Sequence, residues 1–219
     1  MRQKVEELLA EVKNYNATLI GVSKTVDIAK IVESTKYGIV HLGESKVQEL
    51  QEKYDTFKSL KSVIHFIGHI QSNKLKRAVE MSDYIHTIDS VKKAKATDRH
   101  ASDLGKIQKI FIQVNISNDD DKFGMSKELF LASFEEMNAL PNIKIVGLMT
   151  IGLLTDDKNI VRAYYKELKD LKEYTVKKFN CQDTLTELSM GMSDDYDIAL
   201  QEGATFVRVG SGIYGDRVY

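Results

Sequence analysis

Lys24 closes the apolar run TLIGVSK at 18–24. A lysine at the end of a buried strand holds its amine at the mouth of a partly dry cavity. Desolvation there disfavours the ammonium and leaves a free amine able to attack a carbonyl carbon. The plainer reading is a lysine that snorkels at a strand end and keeps its charge in water. Near the other end, VRVGSGIYG at 207–215 places Gly210, Gly212 and Gly215 in a G-x-G-x-x-G spacing. The dinucleotide fingerprint is a poor match, because it must open a helix inside a βαβ unit with an acidic residue about twenty positions later, and the sequence stops at Tyr219. Small residues after the last strand of a barrel instead let backbone N–H groups approach a phosphate, and a turn chosen only for tightness is the alternative. The segment LSMGMSDDYDIAL at 188–200 is a second small-residue turn of this kind. Phosphate sites in barrels commonly use the loops after strands seven and eight, so the two turns together favour a phosphorylated ligand near Ser189, Met190, Gly210 and Ser211. Asp194 and Asp195 would repel that ligand and are placed on the solvent side, as charges at a helix N-terminus. Arg208 interrupts the apolar strand TFVRVG. Turned inward it needs a partner, which is either a ligand's phosphate or ring nitrogen, or a structural carboxylate such as Glu187.

His41, His65, His69 and His86 all lie on or near strands. Strand alternation gives His65 and His69 the same parity, but His41 and His86 fall near strand starts and cannot converge with His69. Satisfied interior histidines are expected, and no metal site. The run at 119–122 and the group Lys74, Lys76 and Arg77 read as solvated charge. Tyr164 and Tyr165 read as packing residues.

Positioning these groups requires regular elements. Eight short apolar runs rich in β-branched residues begin at Thr18, Ile39, Val63, Tyr84, Lys109, Ile143, Leu185 and Thr205. They are continuous rather than alternating, as in strands covered on both faces. Seven segments with helical spacing lie between them, several opening on a capping residue: Ser72, Ser90, Ser126 and Ser193. Gly38, Gly105 and Gly203 stand where helices should stop. Strand and helix alternating eight times predict a (β/α)8 TIM barrel, with the amphipathic segment 2–15 as an extra N-terminal helix and an open doubly wound sheet as the rival. The upper, carboxyl end of that barrel would carry Lys24, Glu44, Ser45, His69, Asp89, Asn115, Thr150, Ser189, Met190, Gly210 and Ser211.

The 219 residues hold 31 basic and 32 acidic side chains for a net charge of -1, and 42% are hydrophobic. That is an ordinary globular composition, with no global field to draw nucleic acid or a membrane surface. No stretch approaches the roughly eighteen uninterrupted apolar residues of a membrane span, and no signal peptide opens the sequence, so a cytoplasmic location is expected. Cys181 is the only cysteine, which excludes an intrachain disulfide and a cysteine-based zinc site. Pro141 is the only proline and nothing marks a linker, so residues 1–219 read as one domain.

Several motifs occur in a familiar order: VSK at 22–24, GExxVQE at 43–49, HFIGxxQxNK at 65–74, KFG at 122–124, GLMTI at 147–151, LSMGMSDD at 188–195 and VRVGSGIYG at 207–215. On these the chain resembles the pyridoxal phosphate homeostasis protein family over about two hundred positions, a family similar to the barrel half of alanine racemase. The resemblance implies that pyridoxal 5'-phosphate (PLP) is held as a Schiff base on Lys24. Its phosphate would lie among Ser189, Met190, Gly210 and Ser211, and Arg208 near its ring nitrogen or its phosphate. The family commonly has Asn where this chain has Ser45, and Thr where it has Ser211. Ser45 is shorter than Asn and reaches less far toward the cofactor, whereas Ser211 keeps the hydroxyl. An arginine beside the ring nitrogen leaves that nitrogen neutral and weakens the ring as an electron sink. The expected function is therefore PLP (vitamin B6) homeostasis by a monomer with no turnover of its own, with PLP-dependent apoenzymes as recipients. A small PLP-dependent amino acid racemase or lyase is the alternative.

Overall fold

A computed structural model describes residues 1–117, 123–152 and 155–215. The expected run at 119–122 and the first residue of the KFG motif lie outside the described residues. Eight parallel strands close into a barrel in chain order: β1 Thr18–Val22, β2 His41–Glu44, β3 Val63–Phe66, β4 Tyr84–Ile88, β5 Gln108–Gln113, β6 Ile143–Met149, β7 Glu187–Ser189 and β8 Phe206–Val209. β8 returns to β1 through the register Thr18↔Phe206 and Ile20↔Arg208, which closes the sheet and leaves no edge strand. Each of the eight apolar runs coincides with one strand, and only β5 starts ahead of its run, at Gln108.

Helix α1, Arg2–Asn14, precedes the barrel and buries Val5, Leu8 and Val12, a spacing of three and four that makes one apolar stripe. The crossovers are α2 Ile28–Lys36, α3 Val47–Ser59, α4 Leu75–Met81, α5 Val91–Asp103, α6 Lys127–Asn138, α7 Lys158–Phe179 and α8 Tyr196–Gln201. Two of the four expected serine caps are present: Ser90 accepts the Lys93 N–H at 3.3 Å, and Ser126 accepts the Leu129 N–H at 3.1 Å. Ser72 instead lies inside a 3-10 turn, Ser72–Lys74, that leads into α4. A one-turn helix, α9 Ser211–Tyr214, follows β8 and falls within the run read as strand and turn.

Two apolar cores result. The larger lies between strands and helices, and the smaller fills the barrel with Ile20, Phe111, Val146, Met149 and Phe206, against which Tyr84 packs. The lumen is therefore a packed, water-poor column whose upper end opens to a cavity.

Candidate functional site

At the upper end of the barrel a cavity of about 510 Å³ is lined by residues from the ends of β1, β2, β3, β6 and β8 and from the turn after β7. Lys24 follows β1, Ser45 follows β2, and Gly210 and Ser211 follow β8, while Arg208 reaches in from β8 itself. Val22, Ile67, Met149, Ile151 and Met192 supply apolar wall. Of the residues proposed from sequence, Lys24, Ser45, Arg208, Gly210 and Ser211 are thus brought to one cavity. Ser189 and Met190 are fully buried and do not line it. The Met190 N–H is spent on the Phe206 carbonyl at 3.1 Å, and the Ser189 hydroxyl bonds to Arg208 and His86. Among the other strand-end residues, Glu44 and Thr150 are buried away from the cavity, and His69, Asp89 and Asn115 lie outside its lining.

The segment bearing Lys24 is held from behind by a charged network that the motif reading did not expose. Lys53 Nζ donates to the Ser23 carbonyl and to Glu44 Oε1, both at 2.7 Å, and the Ser23 hydroxyl donates to the same carboxylate oxygen at 2.8 Å. The next residue, Thr25, adopts a left-handed φ of 61°, uncommon for a branched side chain, and its N–H is fixed on Glu49 Oε2 at 2.7 Å. The chain direction at Lys24 is therefore set by Glu44, Glu49 and Lys53. Burial raises the Glu44 carboxyl above the usual glutamate range even though Lys53 and Ser23 pull the other way, and its Oε2 has no partner. The available signal was positional: Lys53 falls on the stripe Val47, Leu50, Phe57 that α3 buries.

Ser45 is placed by a close approach rather than by a side-chain bond. A Cβ at Gly68 would stand 1.9 Å from the Ser45 carbonyl oxygen, so only glycine lets the loop after β3 pack there.

The turn after β7 differs most from expectation. Ser193 does not cap α8. Its Oγ accepts the Gly210 N–H at 3.1 Å and the Gly212 N–H at 3.5 Å, and Ser193 lines the cavity. Two backbone donors from the final turn thus converge on one oxygen position. Asp194 is exposed, as expected, yet borders the cavity. Asp195 is not on the solvent side: it is 8% exposed, accepts the Tyr165 hydroxyl at 2.6 Å and the Met192 N–H at 2.6 Å, and so ties the turn to α7. Burial, together with the Asp195 charge, pushes the Tyr165 phenol far above its ordinary value and keeps it a donor. Tyr164 and Tyr165 are buried, and their hydroxyls are committed as well: Tyr164 meets the Thr150 hydroxyl at 2.8 Å.

Arg208, 4% exposed, is not paired with Glu187. It donates through Nη1 to Ser189 Oγ and through Nη2 to the Thr150 carbonyl, each at 2.8 Å. Burial lowers its pKa, opposed by Tyr165 and Asp195. A guanidinium has five N–H donors, so donors remain for a ligand in the cavity.

The chain that forms this closed parallel barrel matches, over residues 1–218, the family model described as alanine racemase, N-terminal domain. The solved alanine racemase of Corynebacterium glutamicum shares the fold, with a TM-score of 0.74 at 13% identity over 100% of this chain and 62% of that one. At higher identity stand proteins named pyridoxal phosphate homeostasis protein. That of Aquifex aeolicus is 37% identical over 203 residues, 93% of this chain and 88% of its own length. The human one is 36% identical over 211 residues, 92% of this chain and 77% of its own length. PipY of Synechococcus elongatus, solved with PLP bound, superposes with a TM-score of 0.88 at 33% identity over 96% of this chain and 100% of that one. The chain belongs to the pyridoxal phosphate homeostasis protein family.

Proposed function

We propose that this protein binds PLP at the mouth of the barrel, attached through Lys24, and keeps it in reserve for other proteins without turning over a substrate. The observation that carries the reading is the pairing, in one cavity, of the Lys24 amine with the oxygen position on which the Gly210 and Gly212 N–H groups converge. In this structure the Ser193 hydroxyl stands at that position, where a phosphate oxygen would have the same two donors. The residues present therefore fit the cofactor, and the name of the PLP-bound PipY structure supports the same ligand. When bound, the cofactor supplies an aldehyde that condenses reversibly with a primary amine, and a phosphate that needs a donor-rich seat.

The chain's own residues divide that work. Lys53, Glu44 and Glu49 fix the backbone on either side of Lys24, so that the amine enters the cavity from one direction. Gly210, Gly212 and the Ser211 hydroxyl would form the anion seat, with the Ser193 hydroxyl giving up its place to the phosphate. Ser45 lines the same cavity, and Val22, Ile67 and Met149 give it an apolar wall. Arg208 holds its proton and can only donate. Facing a ring nitrogen it leaves that nitrogen neutral, and facing a phosphate it adds charge; in neither position does it serve as the carboxylate that carbanion chemistry on this cofactor favours. In this reading the protein acts as a monomer in the cytoplasm, with residues 1–219 as one domain and PLP-dependent apoenzymes as recipients. The test is to incubate the PLP-loaded protein with a panel of L-amino acids in deuterated water. A carrier gives α-hydrogen exchange no faster than free cofactor, and exchange well above that level would make the protein a racemase or lyase.

A further inference from the structure

Three histidines inside the barrel make a continuous hydrogen-bonded chain. His41 Nδ1 meets His65 Nε2 at 2.9 Å, His65 Nδ1 meets His86 Nε2 at 2.9 Å, and His86 Nδ1 meets Ser189 Oγ at 2.9 Å. Arg208 Nη1 joins the same hydroxyl at 2.8 Å. The chain climbs the barrel wall diagonally. The neighbour of His41 on β3 is Val63, with His65 two residues higher, and the neighbour of His65 on β4 is Tyr84, with His86 two residues higher. It runs from the lower end, where His41 is the first residue of β2 and only half-buried, to the arginine that lines the ligand cavity.

The proton positions follow from the fixed donors of Arg208 and from the need of the buried Ser189 hydroxyl hydrogen for an acceptor. A guanidinium only donates, so the Ser189 oxygen accepts from Arg208. The hydroxyl hydrogen then goes to His86 Nδ1, its other partner within hydrogen-bond distance. His86 is thereby protonated on Nε2 and donates to His65 Nδ1. His65 is in turn protonated on Nε2 and donates to His41 Nδ1. Every link points away from Arg208, and each ring is neutral in the same tautomer.

We propose that this histidine chain positions Arg208 through Ser189, and so makes ligand retention in the upper cavity depend on the protonation of His41 at the lower end. A proton added to His41 turns its Nδ1 from acceptor to donor, opposite the His65 donor. The links must then break or reverse, and reversal makes His86 a second donor onto Ser189 and displaces the hydroxyl hydrogen from its acceptor. The groups facing the chain keep it neutral near pH 7. Burial lowers the pKa of His65 and His86 well below the ordinary histidine value, helped by Lys109 at His65 and by Arg208 at His86. Tyr84 stacks on His65 with ring centroids 4.7 Å apart, and Phe111 on His86 at 4.2 Å. Only His41 has a nearby carboxylate, Asp83, that works against burial, so it is the member that charges first as pH falls.

This inference rests on the proposed ligand only for its affinity readout. In ¹⁵N-resolved spectra of the ligand-free protein at pH 7.5, His41, His65 and His86 should all appear as the neutral Nε2–H tautomer. A Nδ1–H form or a charged ring at any of the three would overturn the chain. By equilibrium dialysis with PLP, His86→Phe should lose about tenfold in affinity. His86→Asn, whose amide oxygen replaces Nδ1 as the acceptor for Ser189, should stay within about twofold of the parent. Equal losses in both variants would reduce His86 to packing. Between pH 7.5 and 5.5, His41→Asn, which accepts from His65 but cannot charge, should lose less affinity than the parent; superimposable profiles would refute the link to His41. If the parent binds no PLP, the proposed function fails while the tautomer result still decides the chain.

Discussion

Replacing Lys53 by methionine tests whether the network behind Lys24 is electrostatic. Both side chains of the Lys53–Glu44 pair are out of solvent, 8% and 0% exposed, and their atoms are 2.7 Å apart. Removing one member of a buried pair commonly costs about 3–5 kcal/mol, because the other charge is left uncompensated. The Ser23 hydroxyl still donates to Glu44 Oε1, so the lower end, about 3 kcal/mol, is expected. For a chain of this size, at roughly 2–4 °C per kcal/mol, the midpoint of thermal unfolding should fall by about 6–12 °C. The pH dependence has a definite sign. The folded pKa of Glu44 already lies above its unfolded value. Between the two values the folded state holds the extra proton, and stability declines as pH rises through that interval. Losing Lys53 moves the folded pKa higher still, so the variant should be nearer the parent at pH 5 than at pH 8. Adding Glu44→Gln, which keeps an acceptor for Ser23 and removes the charge, should restore most of the loss. Urea titrations of the parent, the Lys53→Met and Glu44→Gln single variants and the double variant at both pH values measure all of this. A cost below about 1 kcal/mol with no pH dependence would refute a buried, mutually compensating pair.

Arg208→Gln should weaken PLP retention in dialysis by about tenfold or more, equivalent to roughly 1.4 kcal/mol, and unchanged affinity would show that the arginine serves the barrel wall alone. Tyr165→Phe removes the donor to a buried aspartate and should lower stability by about 1–3 kcal/mol in urea, while a change under about 0.5 kcal/mol would mean that Asp195 is satisfied without it.

The eight strands were legible because a parallel barrel covers both faces of every strand, and continuous β-branched runs such as KIFIQV record that directly. Lys24 and the final glycines were legible because a barrel confines its chemistry to strand ends and loops, and Arg208 because it interrupts an apolar strand. What the sequence hid depends on register. Nothing in it says that His65 stands two places above the neighbour of His41, so the diagonal of histidines could not be drawn, although keeping His69 apart was sound: that ring stacks instead on Phe123, 3.8 Å away. Ser193 looked like a cap because serine before acidic residues ordinarily is one. A tertiary contact with the Gly210 and Gly212 N–H groups claims its oxygen instead. Asp195 misled through its charge, since a buried tyrosine donor offsets the desolvation that would otherwise expose it. Ser189 was expected beside the phosphate, but its partners are Arg208 and a histidine and it does not line the cavity.

The most direct measurement is peptide mass spectrometry after the protein has been loaded with PLP, reduced with borohydride and digested. Attachment through the amine of the β1 strand end predicts the phosphopyridoxyl mass on the peptide containing Lys24, and its loss in a Lys24→Ala protein that still unfolds cooperatively. The label on any other lysine, or none in the parent, would contradict it.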